Sequence, residues 1–149
     1  MALRLYRVCR AKYARLDGYG ARLVGGRWNS AGRPVVYMAE SISLAVLENL
    51  VHMSRQDFPT GYVVVSATVP DHTVPCTEAQ LRAVAPKSAV TTQELGDFWL
   101  DNRISAVLKV ASSVVPKEHN FLLNPEHPDF GGIEAAEPLP FRFDPRLFG

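Results

Sequence analysis

Hydrophobic and polar positions along the chain switch between a period of two and a helical period, with glycine and proline marking the changes. Leu3, Leu5 and Arg7 alternate against Arg4, Tyr6 and Val8, which predicts a first strand. Residues 12–26 are polar and spotted with glycine, and read as a long loop. The pair Gly25-Gly26 turns the chain into Arg27-Trp28-Asn29, Gly32 and Pro34 mark a second turn, and Val35-Val36-Tyr37-Met38 is a short strand. Leu44, Leu47 and Val51 then recur at helical spacing behind Ser41 and Ser43, either of which is a competent N-cap, so a helix is predicted over residues 42–53. Glu48 lies on it, one turn beyond Leu44.

Residues 57–61 break that helix. The run from Tyr62 to Val69 is β-branched, is closed by Pro70, and is the strongest strand signal in the chain, which predicts a central strand. Thr91-Thr92-Gln93-Glu94 offers a capping box for a helix ending near Asn102, and residues 77–84 carry a weaker helical pattern. Residues 104–110 return as a strand, Phe121-Leu122-Leu123 forms a short one, and Asn124-Pro125-Glu126-His127-Pro128 is a turn. From Pro138 onward the tail is punctuated by proline. With no repeat, low-complexity tract or internal linker, the pattern predicts one α+β domain over residues 1–149, with a mixed or antiparallel sheet and flanking helices.

Composition narrows the function classes. A chain of 149 residues that is 47% hydrophobic closes one core without staples. Its apolar runs fall far short of a membrane span, and Arg4 and Arg7 stand where a signal peptide would carry its apolar stretch, so a cytoplasmic location is expected. Cys9 and Cys76 form no metal or disulfide framework by spacing and are expected as free thiols. Sixteen basic against fifteen acidic residues give a net charge of +1, without the basic excess of a phosphate-backbone binder.

Several polar residues admit both a functional and a structural reading. Arg27, between a double glycine and Trp28, has a guanidinium fork suited to a pyrophosphate, or is a hairpin arginine stacked on the tryptophan. Arg7 ends an otherwise apolar strand, and so needs an anionic partner or an edge position facing water. Glu48 borders the apolar stripe of its helix, where a carboxylate suits a developing cation, or it pairs with His52 or Arg55. Tyr37 is either an aromatic platform for a flat ring or a core tyrosine. Ser112 and Ser113 follow a strand with no catalytic histidine motif nearby, so a hydrolase nucleophile is unsupported. The four histidines form no zinc-ligand pattern, no metal is expected, and neither a G-x-G-x-x-G nor a P-loop string is present.

Taken together, Leu5-Tyr6-Arg7-Val8, Gly26-Arg27-Trp28-Asn29 with Gly32, Val36-Tyr37-Met38-Ala39-Glu40-Ser41 and Ala45-Val46-Leu47-Glu48 resemble the RES domain family, named for an arginine, a glutamate and a serine. The match continues in order through Asp97-Phe98-Trp99-Leu100, Leu108-Lys109-Val110-Ala111-Ser112, Val115-Pro116 and the string from Asn120 to Pro128. It departs where the family commonly has a proline before its serine and this chain has Ala111. Ser112 rather than Ser113 keeps the spacing to Val115-Pro116 and Asn120. The resemblance implies a fold similar to bacterial mono-ADP-ribosyltransferase toxins and a toxin partnered by an Xre-like helix-turn-helix antitoxin, touching DNA only through that partner. It implies cleavage of the nicotinamide–ribose bond of NAD⁺, a substrate and not a prosthetic group, by hydrolysis, phosphorolysis or ADP-ribose transfer to a protein. Arg7 and Arg27 would hold the phosphates or ribose, Tyr37 would stack near nicotinamide, Glu48 would face the cationic transition state, and Ser112 would make a polar contact with NAD⁺. The rival from another class is a non-enzymatic module that only binds an antitoxin or DNA, with near-neutral charge arguing against DNA.

Overall fold

The computed structural model describes residues 2–53 and 57–149. Its eight strands are β1 (Leu3–Arg10), β2 (Val36–Ala39), β3 (Tyr62–Val69), β4 (Cys76–Thr77), β5 (Val107–Ala111), β6 (His119–Leu123), β7 (Glu134–Ala135) and β8 (Leu139–Phe141). The helices are α1 (Tyr19–Val24), α2 (Ile42–Leu50), α3 (Glu78–Val84) and α4 (Thr92–Asp101). The strands form one sheet in the order β4-β5-β6-β2-β1-β3-β7, with β8 also on β3. Only β4 and β5 run parallel, so the sheet is mixed, in the α+β class expected. No helix among the described residues is long and apolar enough to cross a membrane.

Strand parity sorts the core into two faces. On one, Leu5, Val36, Met38, Ala67, Val69, Val107, Phe121 and Leu123 pack together, covered by Leu16, Phe130 and Ile133. The opposite face is covered at two ends. Leu81 of α3 and Leu95, Trp99 and Leu100 of α4 pack with Trp28 over Leu108, Val110 and Leu122, while Leu44 and Ala45 of α2 pack with Phe143 over Val8 and Ala39. The floor between these two covers is left open.

The helix starts match the sequence signals. Ser41 caps α2, its hydroxyl accepting from the Leu44 N–H, and Thr77 with Gln80 and Thr91 with Glu94 form complete capping boxes on α3 and α4. Other expectations are corrected. The supposed loop over residues 12–26 contains α1, which the left-handed Gly18 leads into and the Asp17 carboxylate supports by accepting from the Tyr19 N–H. Helix α2 ends at Leu50, short of residue 53, where the 47–51 hydrophobic spacing leaves Leu47 and Val51 exposed rather than packed. Strand β3 is interior, yet only short β7 and β8 separate it from the edge. The proline-marked tail is ordered: Pro140 pairs with Val63 in β8, and Phe143 is fully buried among Tyr62, Phe141 and Phe148 in edge-to-face contacts. Cys9 and Cys76 are free, as expected.

Candidate active site

The sheet separates beside its middle. Strands β1 and β2 pair only at Tyr6 and Ala39, whereas β1 pairs with β3 along its whole length and β2 with β6 along its own. Backbone groups facing such a gap still require partners. Side chains supply them: Nη1 of Arg7 donates to the Tyr37 carbonyl at 3.1 Å, and Nδ2 of Asn49 donates to the Val8 carbonyl at 2.8 Å. Arg7 is therefore neither an edge arginine in water nor one of an ion pair among the described residues.

Over this split lies a cavity of about 990 Å³, at the upper end of the range for small-molecule sites. Arg7, Arg27, Tyr37, Glu48 and Asn120 line it, together with Ser113. Four of the five residues singled out in the sequence meet here although they come from β1, the Gly26–Asn29 loop, β2 and α2. The fifth, Ser112, sits behind Glu48.

The loop bearing Arg27 closes on itself through the Gly26 N–H and the Asn29 carbonyl, and side chains from elsewhere meet several of its other polar groups. Oγ1 of Thr92 donates to the Arg27 carbonyl at 2.8 Å, while Nε2 of Gln93 donates to the carbonyls of Gly26 and Asn29. Asp97 accepts from the backbone N–H and hydroxyl of Ser30. From the sheet side, the Tyr37 hydroxyl accepts from the Trp28 N–H at 2.9 Å and donates to Oδ1 of Asn29 at 2.7 Å, and Asn29 in turn donates to the carbonyls of Ala21 and Arg33. Trp28 is buried in the core, not stacked outside it. What this scaffold leaves over is the exposed guanidinium of Arg27, without a hydrogen bond or ion pair among the described residues. Its donors are free for an anion.

Burial pushes the Tyr37 phenol up to about 12, so the hydroxyl stays protonated at neutral pH. Its proton and lone pair are already committed to Asn29 and Trp28. Tyr37 therefore offers the cavity a ring and no acid or base.

Glu48 lines the same cavity from α2. Its Oε1 accepts from Oγ of Ser112 at 2.8 Å and from Nδ2 of Asn120 at 2.9 Å. Ser112 also accepts from the backbone N–H groups of Val114 and Val115, which leaves its proton for the carboxylate. The hydroxyl is thereby filled, so Ser112 orients Glu48, whereas Ser113 is exposed at the cavity. Of the pairings weighed for Glu48, none with His52 is formed, and Arg55 lies outside the described residues.

The sequence reading passed over Gly96, Thr92, Gln93 and Asn120. Gly96 was visible as a glycine inside a strongly capped helix. A Cβ there would overlap the Trp28 carbonyl oxygen, so only glycine lets α4 lie directly beneath the Arg27 loop. Among the described residues no group of three or more His, Cys, Asp and Glu side chains is arranged to hold a metal ion.

The split sheet thus carries one cavity lined by an arginine partly bound to backbone, an arginine with no partner among the described residues, and a carboxylate held by two hydrogen bonds. The chain belongs to the RES domain family, whose pattern matches residues 4–144. It is 39% identical over 149 residues to Toxin Res of Photorhabdus laumondii, covering 96% of each chain. It is 36% identical over 138 residues to the Prs ADP-ribosylating toxin of a Sphingobium species, covering 89% of this chain and 86% of the relative. The fold is similar to a chain in the crystal structure of the M. tuberculosis MbcT–MbcA toxin–antitoxin complex, with a TM-score of 0.69, 18% identity, and coverage of 99% and 87% of the two chains.

Proposed function

We propose that this protein is the toxin of a toxin–antitoxin pair and consumes NAD⁺ by cleaving its nicotinamide–ribose bond. The observation that carries the reading is the composition of this cleft, which Arg7, Arg27 and Glu48 all line and which is large enough for a dinucleotide. Arg27, exposed and uncommitted, takes the pyrophosphate, with the remaining donors of Arg7 at the phosphates or ribose. The ring of Tyr37 stacks near the nicotinamide. As the C1′–N bond breaks, nicotinamide leaves with the electron pair, and the ribose left behind is an oxocarbenium-like cation. Glu48 holds negative charge beside it without needing to move, because Oε1 is already tied to Ser112 and Asn120.

Attack at C1′ by water, with loss of its proton, gives ADP-ribose and a glycohydrolase. Attack by phosphate gives a phosphorylase. A protein side chain as acceptor is the second reading, favoured by the 36% identity to a relative named as an ADP-ribosylating toxin. Purified protein freed of any partner is incubated with NAD⁺, with and without phosphate, and with a cell extract. Nicotinamide release is expected, and its dependence on phosphate or extract identifies the acceptor. Absence of both free nicotinamide and labelled protein would leave the antitoxin-binding module as the better reading.

The partner we propose is an antitoxin of the Xre-like helix-turn-helix kind that blocks the cleft. Covering Arg7 and Arg27 without a counter-charge is costly, so the antitoxin presents a carboxylate, such as its own C-terminus, to them. Arg7→Ala and Arg27→Ala should each weaken antitoxin binding. Equal affinity in a titration of both variants would refute direct blocking.

A further inference from the structure

We infer that Asn120 is a positioning residue for Glu48, holding Oε1 through its amide so that Oε2 is the oxygen delivered to the ligand. The inference rests on the reading of Glu48 above, and adds to it which carboxylate oxygen works and what holds it.

Asn120 lies in the middle of the sheet, on β6, in register with Ala39 of β2 and Val110 of β5. It shares their sheet face, and neither neighbouring side chain can exchange a hydrogen bond with it. Nδ2 nevertheless reaches across the cavity floor to Oε1 of Glu48 at 2.9 Å, while Oδ1 is buried without any partner. The amide cannot be turned over, because that would set Oδ1 against the carboxylate. An orphaned buried acceptor destabilises a fold, and an apolar residue of similar size among alanine, valine and leucine would avoid it. Asparagine at this position is thus explained by its donor, and that donor has one acceptor, Glu48.

Both donors converge on the same oxygen. Ser112 at 2.8 Å and Asn120 at 2.9 Å approach Oε1, and no donor among the described residues takes Oε2. Two donors fix the rotation of the carboxylate where one would leave it free to swing. The reacting oxygen is therefore presented in advance.

Three variants, Asn120→Leu, Asn120→Asp and Glu48→Ala, are made together with the double variant Asn120→Leu/Glu48→Ala. Unfolding temperatures are measured for all, and nicotinamide release for the parent and the two single Asn120 variants. Asn120→Leu should keep or raise the unfolding temperature while kcat falls by about tenfold to a hundredfold and KM stays within a factor of about two. Asn120→Asp keeps the shape and loses the donor, so its kcat should fall at least as far as that of the leucine variant. A residue that merely filled space would give the reverse order. In the Glu48→Ala background, Asn120→Leu should raise the unfolding temperature by about 2–4 °C more than it does in the parent, because the amide has lost its partner. Parental kcat in Asn120→Leu, a milder effect of Asn120→Asp, or the same temperature shift in both backgrounds would overturn the inference. If the parent releases no nicotinamide, the NAD⁺ reading fails by itself, and the temperature coupling alone decides whether Asn120 holds Glu48.

Discussion

The two walls of the cleft present charge by opposite means. Glu48 stands on a regular helix whose backbone satisfies itself, and two hydrogen bonds to one oxygen are enough to aim it. Arg27 stands on a loop without repeating hydrogen bonds, and Thr92, Gln93, Asp97, Asn29 and Tyr37 each support a separate group of that loop. A loop allows the backbone to approach a ligand, but its rigidity has to be built from elsewhere in the chain. Substitutions in the helix wall should therefore act on chemistry, and substitutions beneath the loop on stability as well.

Gly96→Ala should sharpen this contrast most. The added Cβ meets backbone, which cannot rotate away, so α4 and the Arg27 loop must part, at a cost of about 4 kcal/mol or more. Chemical denaturation should show that loss, and a drop below about 1 kcal/mol would mean that the loop is soft. Glu48→Gln is the counterpart on the helix wall. Turnover should fall by about 10²–10³ with the unfolding temperature almost unchanged, and growth arrest on expression should be relieved. Arg27→Ala should likewise relieve arrest in a folded protein, since its side chain supports nothing else. Full toxicity in either stable variant would remove that residue from the mechanism.

Tyr37→Phe tests the boundary between the walls. It leaves the Trp28 N–H and Oδ1 of Asn29 unpaired and should cost about 1–3 kcal/mol. The phenol has a folded pKa raised from 10.0 to about 12, so its contribution to stability is complete below about pH 10 and is lost as pH rises toward 12. That alkaline loss should be absent in the phenylalanine variant when denaturation midpoints are compared across this range.

The smallest effect is expected at Arg33, whose guanidinium hydrogen bonds hold the Asp101 carboxyl below its usual range. A depressed carboxylate stabilises the fold above its unfolded pKa, and that contribution disappears as pH falls through the folded value. The pair is well exposed, so Arg33→Ala should cost less than about 1 kcal/mol and should flatten only the acid limb of the stability profile. A large loss at neutral pH would show that the outer rim of the loop carries as much as its underside.

Local chemistry made much of this legible in advance. Alternation placed β1, a β-branched run placed β3, side-chain caps placed the starts of α2 and α4, and a short helix after Gly18 is not signalled because its six residues bury no side chain completely. The tail carries no clear element signal for a related reason. Prolines weaken a strand pattern, yet Pro140 sits on an edge strand where a missing N–H matters little, and Phe143 is enclosed with the help of the distant Val8, Ala39, Leu44 and Ala45.

The sequence by itself determined the longer elements, the residue types and the family pattern that singled out Arg7, Arg27, Tyr37, Glu48 and Ser112. Tertiary structure decided their partners. Whether Arg27 is free, whether Ser112 faces a ligand or a carboxylate, and why Asn120 is polar depend on residues tens of positions away, brought near by the split between β1 and β2. Hydrogen bonds act over about 3 Å in space and are blind to separation along the chain, so a single sequence supplies the donors and acceptors, and only the fold pairs them.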